Sequence, residues 1–321
     1  MKTMSSYPPY KTPFIPQSAR YVEQVTLLLE VLPELQHINC FALKGGTAIN
    51  LFFRDFSRLS IDIDLTYIFV EPRDIFLANL TTALENLADR IEAKGTGYKV
   101  KRQYTHQEHQ LVKLIVIKNK HIEIKIEPNI IWRGYVFEPA VKPLSLTAKN
   151  KFFMDMNCLL ASMGDVYAGK LCAALDRRHP RDLFDVKLLF ENEGLTDEIR
   201  QAFVVYLAST DRPMHELLNY RTLDIKDLFD REFAGMAHVP VTCQELESTY
   251  QLLLNKLHAE LTDGERQFLL SLKRGEPNWS LMPLTHLSEL PGLKWKLLNI
   301  KKIDKARHEQ QIELLKKALQ L

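Results

Sequence analysis

Residues 43–68 read LKGGTAINLFFRDFSRLSIDIDLTYI, and the order of signals in this stretch decides the fold. An apolar run, Phe41 to Leu43, meets the pair Gly45-Gly46, and a helix-like segment follows from Ala48 to Phe53. A polar link with Arg54, Asp55 and Arg58 then leads to an alternating run that carries Asp62 and Asp64. Strand, glycine turn, helix and second strand is the simplest parse. Residues i and i+2 of a strand share a face, so Asp62 and Asp64 lie on one side and Ile61, Ile63 and Leu65 on the other. Two carboxylates brought to ~4 Å repel by roughly 4 kcal/mol at an effective dielectric of 20, and a bound cation reverses the sign of that effect. Alone, two acids on a strand are ordinary solvated surface. The glycine turn upstream changes this, because free backbone N–H groups at a helix start suit phosphate and would sit beside a cation-binding pair.

The rest of the chain sets bounds on this reading. Its 321 residues suggest two domains, and 46% hydrophobic content is enough for a sizeable core. Net charge is +2, but residues 291–321 alone carry +5, leaving −3 for the remainder. The four cysteines, Cys40, Cys158, Cys172 and Cys243, have no paired spacing, so neither a disulfide framework nor a zinc site is expected. No apolar run is long enough for a signal peptide core or a membrane span, and the expectation is a soluble cytoplasmic protein.

Taken in order, residues 1–17 hold four prolines and no hydrophobic period, which suggests an extended N-terminal arm. Residues 18–140 read as a mixed α/β core. A helix runs from Ser18 to about Leu35, the opening stretch follows, and another helix spans 73–94. Three strands are expected at Tyr98 to Tyr104, Leu111 to Ile117 and His121 to Glu127. The last alternates strictly, Ile122, Ile124 and Ile126 against Glu123, Lys125 and Glu127. His106 and His109 have a spacing that metal pairs use, but no helix context supports them. From about Thr147 strand signals almost vanish, so residues 145–321 are expected to form an all-helical domain. Its helices are expected at 158–176, from Pro180, at 196–207, 224–235, 242–261 and 263–272, and lastly at 293–319. The fold class is therefore α+β.

A second constellation lies at 164–185, GDVYAGKLCAALDRRHPRDLFD. A lysine on an apolar helix usually reaches for solvent, and acids at a helix start usually complement its dipole. Here Lys170 and the Arg181-Asp182 pair follow the first constellation in order. Gly-Gly-Thr followed by Asp-x-Asp resembles the DNA-polymerase-β-like nucleotidyltransferase superfamily. The fuller string Arg58-x-Ser60-x-Asp62-x-Asp64-Leu65, with Lys170 and Arg181-Asp182 downstream, resembles the AbiEii toxin family, the toxin half of abortive-infection and MenT-type toxin–antitoxin systems.

This resemblance implies a polymerase-β-like mixed sheet with flanking helices, completed by the helical domain, and transfer of a nucleotide from NTP to RNA, with tRNA 3′ ends as target. It implies Mg²⁺, in a two-metal site, NTP as co-substrate, and a cognate winged-helix antitoxin. Asp62 and Asp64 would hold the metals, and a third carboxylate would come from a neighbouring strand, either Glu127 or Glu123. Gly45, Gly46 and Thr47 would bind phosphates with Arg58 and Ser60 as helpers, and Lys170 would neutralise the triphosphate. Asp182 would orient or deprotonate the acceptor hydroxyl, or else hold Lys170 in place. Arg177, Arg178 and Arg181, with Lys301, Lys302 and Lys305 of the basic C-terminal segment, are the candidate RNA contacts. Two rival expectations remain: a nucleotidyltransferase acting on a small molecule or protein, and a non-catalytic binding module.

Overall fold

The structure, a computed structural model, describes residues 19–105, 110–221 and 223–321. The expected arm at 1–17 and the pair His106 and His109 lie outside the described residues. Helix α1 (Ala19–Val31) runs into a 3₁₀ turn at Leu32–His37 that contains Pro33. Strand β1 (Phe41–Lys44) leads directly into α2 (Gly45–Ala48), which continues as one π turn, Ile49–Phe53. Then come β2 (Asp62–Tyr67), α3 (Arg73–Glu92), β3 (Tyr98–Tyr104), β4 (Leu111–Lys118) and β5 (Ile122–Arg133).

The sheet does not end there. Strands β6 (Ala140–Pro143) and β7 (Asn157–Leu160), with α4 (Leu146–Phe152) between them, complete seven strands in the order β3-β4-β5-β2-β1-β7-β6. This corrects the helix expected over 158–176. Cys158, Leu159 and Leu160 pair with β6, and Leu160 stands beside Leu43 of β1 in parallel register. A short apolar run reads equally as strand or helix by period alone. Helix α5 accordingly begins at Met163 and runs to Arg177, with the Ser162 hydroxyl accepting the Asp165 N–H as its cap.

The sheet is mixed: β2 pairs antiparallel with β1 and parallel with β5. Ile63 and Leu65 of β2, with Ile124 and Ile126 of β5 and Leu114 and Val116 of β4, form its buried apolar face, which α1 and α3 cover. The opposite face carries Lys44, Asp62, Asp64 and Glu127, and it meets α5 and α6 (Pro180–Asn192). Pro180 at the first helical position, behind the capping ring of His179, starts α6 as expected. Around α5 pack α7 (Asp197–Ser209) and α8 (Met214–Leu218), followed by α9 (Lys226–Glu232), α10 (Cys243–Glu260) and α11 (Asp263–Arg274).

The last helix is two. Helix α12 (Pro291–Ile300) stops, and α13 (Lys305–Ala318) restarts where the Asp304 side chain accepts the Arg307 N–H. The single helix expected over 293–319 ignored that cap signal. Among the described residues, no helix is long and apolar enough to cross a membrane.

Candidate active site

Two glycines make room for charge. Gly45 has φ +70°, and a Cβ on it would overlap the Asp64 carboxylate, which therefore lies directly over the turn. A Cβ on Gly46 would sit 2.7 Å from the Arg58 guanidinium and 2.9 Å from Ser60 Oγ. Thr47 is fully buried, and its hydroxyl donates to the Asp62 carbonyl at 2.5 Å, with Ser60 Oγ 3.1 Å away. Helix start and strand start are thus stitched together beneath the acids.

On β2, Asp62 is about one-third exposed, while Asp64 lies deeper, flanked in register by Lys44 of β1 and Glu127 of β5. Burial raises the Asp62 carboxyl above its ordinary value; Arg181 and Lys125 oppose the rise and Glu127 adds to it. Burial likewise raises Asp64, against Lys44 and Lys170 and with Asp62 and Glu127. Both shifts mark negative charge that burial disfavours, which either a proton or a cation would relieve. Burial lowers the Lys44 ammonium, which Asp64 and Asp165 partly restore. Glu127 is the strand carboxylate that reaches the pair, and it is itself ion-paired with Lys113. Glu123 is exposed near the start of β5, where its carbonyl accepts from Gln24 at 2.7 Å.

Behind the pair runs a chain of buried ion pairs. Arg58, 2% exposed, grips the fully buried Asp185 through two bonds of 2.8 and 2.6 Å. Lys170 lies 3.1 Å from Asp185 and 2.7 Å from Asp182, and Asp182 also accepts from Arg177 Nε at 2.7 Å. Burial would raise Asp182, but Lys170 and Arg177 more than offset it and hold the carboxyl well below the carboxylate range. Asp185 is lowered in the same way, Arg58 and Lys170 outweighing its burial. Asn50 joins the chain to the turn, its amide donating to the Gly46 carbonyl at 2.9 Å and its Oδ1 accepting from Ser57 Oγ at 2.7 Å.

The basic residues divide. Arg177, 63% exposed, and Arg181, whose guanidinium is 3.9 Å from Asp62, stand at the rim of the site. Arg178 turns away: it is buried against the Tyr250 ring and donates to the Arg221 carbonyl at 2.5 Å. Lys301, Lys302 and Lys305 are exposed around the α12–α13 turn, on helices that pack mainly on α7, α8, α11 and β5. Sequence reading had not assigned roles to Lys44, Asn50 and Asp185. Asp185 had a usable signal, lying one helical turn beyond Asp182, and Asn50 stood alone in an apolar run. Lys44 could be found only through its register with Asp64.

The donor set suits a hard divalent cation. Asp62 and Asp64 offer carboxylate oxygens on one face, and among the described residues no group of three or more His, Cys, Asp or Glu is placed to hold a metal ion. Mg²⁺ characteristically takes one or two carboxylates and completes its shell with water and substrate phosphates.

Comparison with known proteins agrees with the motif reading. A family model, the nucleotidyl transferase AbiEii toxin of type IV toxin–antitoxin systems, matches residues 26–282. The nucleotidyltransferase toxin MenT4 from Mycobacterium tuberculosis H37Rv superposes with a TM-score of 0.61 at 15% identity. That match covers 88% of this chain and 93% of the other, a likeness of fold. No curated protein matches the chain in sequence.

Proposed function

Since the chain belongs to the AbiEii nucleotidyl transferase toxin family, we propose that it transfers a nucleoside monophosphate from an NTP to RNA, with tRNA 3′ ends the acceptor, and thereby blocks translation. The observation that carries this reading is the Asp62–Asp64 pair laid over a glycine turn and faced by Lys170 from the helical half. Asp62 and Asp64 would hold Mg²⁺, which when bound neutralises charge on the phosphates undergoing in-line displacement. Glu127, in register beside Asp64 and ion-paired with Lys113, is the neighbouring carboxylate we propose to receive the hydroxyl proton as the α–β phosphate bond breaks and pyrophosphate leaves.

Asp182 is better suited to holding Lys170 and Arg177 than to taking a proton, because its low basicity makes it a poor general base. Arg58 has its guanidinium committed to Asp185, so its part is to fix the floor under Gly46. Arg177 and Arg181 are the rim cations for an RNA backbone. Membership also implies a cognate antitoxin, for which a winged-helix protein remains our proposal.

The test is incubation of the purified chain with labelled NTPs, Mg²⁺ and total tRNA. Wild type is expected to label tRNA and Asp62→Ala to lose at least 100-fold in rate, on the order of one essential electrostatic group. Labelling of protein or small molecules instead of RNA would change the acceptor. Equal transfer by Asp62→Ala would sink the assignment.

A further inference from the structure

Beside the carboxylate pair, the sheet face and α5 part to leave a cavity of about 420 Å³. Lys44, in register with Asp64, forms its edge. Asn129 and Trp132 of β5 make one wall, Gly169 and Ala173 of α5 and Tyr206 of α7 the other. The cavity thus adjoins both Asp64 and, through its chain neighbour Gly169, Lys170. Its volume lies within the range of small-ligand sites.

The lining is mixed: Asp176, Asp211 and Arg212 share it with an aromatic wall and the Asn129 amide. Asn129 Oδ1 accepts the backbone N–H groups of Ile131 and Trp132 at 3.0 and 2.8 Å, which fixes the amide and leaves its NH₂ group as donor. The indole N–H of Trp132, a residue only 6% exposed, has no hydrogen-bond partner. Tyr206 lies against the Trp132 ring, centroids 4.0 Å apart and planes 32° from parallel, and spends its own hydroxyl proton on Asp165. An aromatic wall beside the Asn129 amide and the Asp176 and Asp211 carboxylates fits a flat heteroaromatic ring that carries both acceptors and amino groups. A triphosphate seated at Gly45 and Lys170 must send its nucleoside somewhere, and this is the cavity that opens next to those residues.

We infer that the cavity between β5, α5 and α7 takes the nucleoside of the NTP, with Asn129 and Lys44 meeting acceptors on the base. The inference rests on the nucleotidyltransferase reading and adds the residues that choose the base. Small side chains at 169 and 173 keep the space open, and Asn129 is a specificity-determining residue.

The test is calorimetric titration of the full chain with the four α,β-methylene NTPs in Mg²⁺, beside inorganic tripolyphosphate. Ala173→Phe and Asn129→Leu are expected to weaken NTP binding about tenfold or more, the scale of lost hydrogen bonds and shape. Tripolyphosphate binding should stay as in wild type in both, while Asn129→Leu, which strips two backbone N–H groups of their acceptor, should melt lower. Asn129→Asp, which replaces a donor with an acceptor, should change the rank order of the four NTPs. Wild-type NTP affinity in both Ala173→Phe and Asn129→Leu overturns the pocket assignment while leaving the enzyme reading intact. Parallel loss of NTP and tripolyphosphate in folded variants overturns it too, because the cavity would then hold phosphates. A wild-type chain that binds no NTP overturns both readings. Should Ala173→Phe or Asn129→Leu fail to fold, Asn129→Asp, which keeps the acceptor oxygen, carries the test.

Discussion

At the scale of single residues, the acids of β2 and those of α6 behave in opposite ways with pH. Asp64 is raised, chiefly by burial, so between the unfolded value near ~3.9 and its folded value the native chain holds a proton that the unfolded chain does not. Its ionised form therefore weakens the native state at neutral pH. Asp64→Asn should raise the metal-free melting temperature at pH 7, and the gain should vanish on acidification. A variant that melts lower than wild type at pH 7 would show that the pairing with Lys44 and Lys170 outweighs burial. The same substitution should abolish transfer, which would mark Asp64 as a residue kept for function at a cost in stability. The aspartate spacing was legible from the two-residue period of a strand; its burial was not, because that depends on α5 and α6 arriving over the sheet.

Elements were legible where a local signal fixes their ends. Pro180 behind His179 started α6, and the glycine turn started α2. Strand β7 was missed because its four residues carry no period long enough to distinguish strand from helix, and only pairing with β1 and β6 decides it. The long C-terminal helix was expected unbroken because apolar spacing runs through 301–304, yet Asp304 caps a new helix there. Asp304→Ala should lower stability by about 0.5–2 kcal/mol and fray the first turn of α13, read as faster amide exchange at Arg307. Unchanged exchange would mean the break is set by tertiary packing. Basic residues followed the same logic: Arg177, Arg178 and Arg181 share one helical corner in sequence, but positive φ at Arg178 swings its side chain to Tyr250.

Across the whole molecule, the two halves are joined by charge as well as by apolar contact. Asp185→Ala would leave Arg58 buried and unpaired, at a cost of about 3–5 kcal/mol and a melting temperature lower by roughly 10 °C. A drop within 2 °C would show that the pair adds little. Asp182 and Asp185 are both depressed, so their contribution to stability is present above the unfolded carboxylate value near ~3.9 and is lost as pH falls through the folded values. The Arg58–Asp185 pair could not be read from the chain, since composition shows that charges exist and not which of them meet; Lys170–Asp182 was one of the two roles open to Asp182.

The Arg58–Asp185 pair also imposes an order in time. Its partners are 127 residues apart, and Lys170 and Asp182 are likewise made long after Asp62 and Asp64. A ribosome building this chain completes Arg58 and the acidic strand early, and the helices that carry Lys170, Asp182 and Asp185 late. If the proposed site is right, the nascent protein is inert until α6 has emerged and docked. An enzyme whose proposed target is the tRNA pool would in this way stay silent while its own synthesis still draws on that pool.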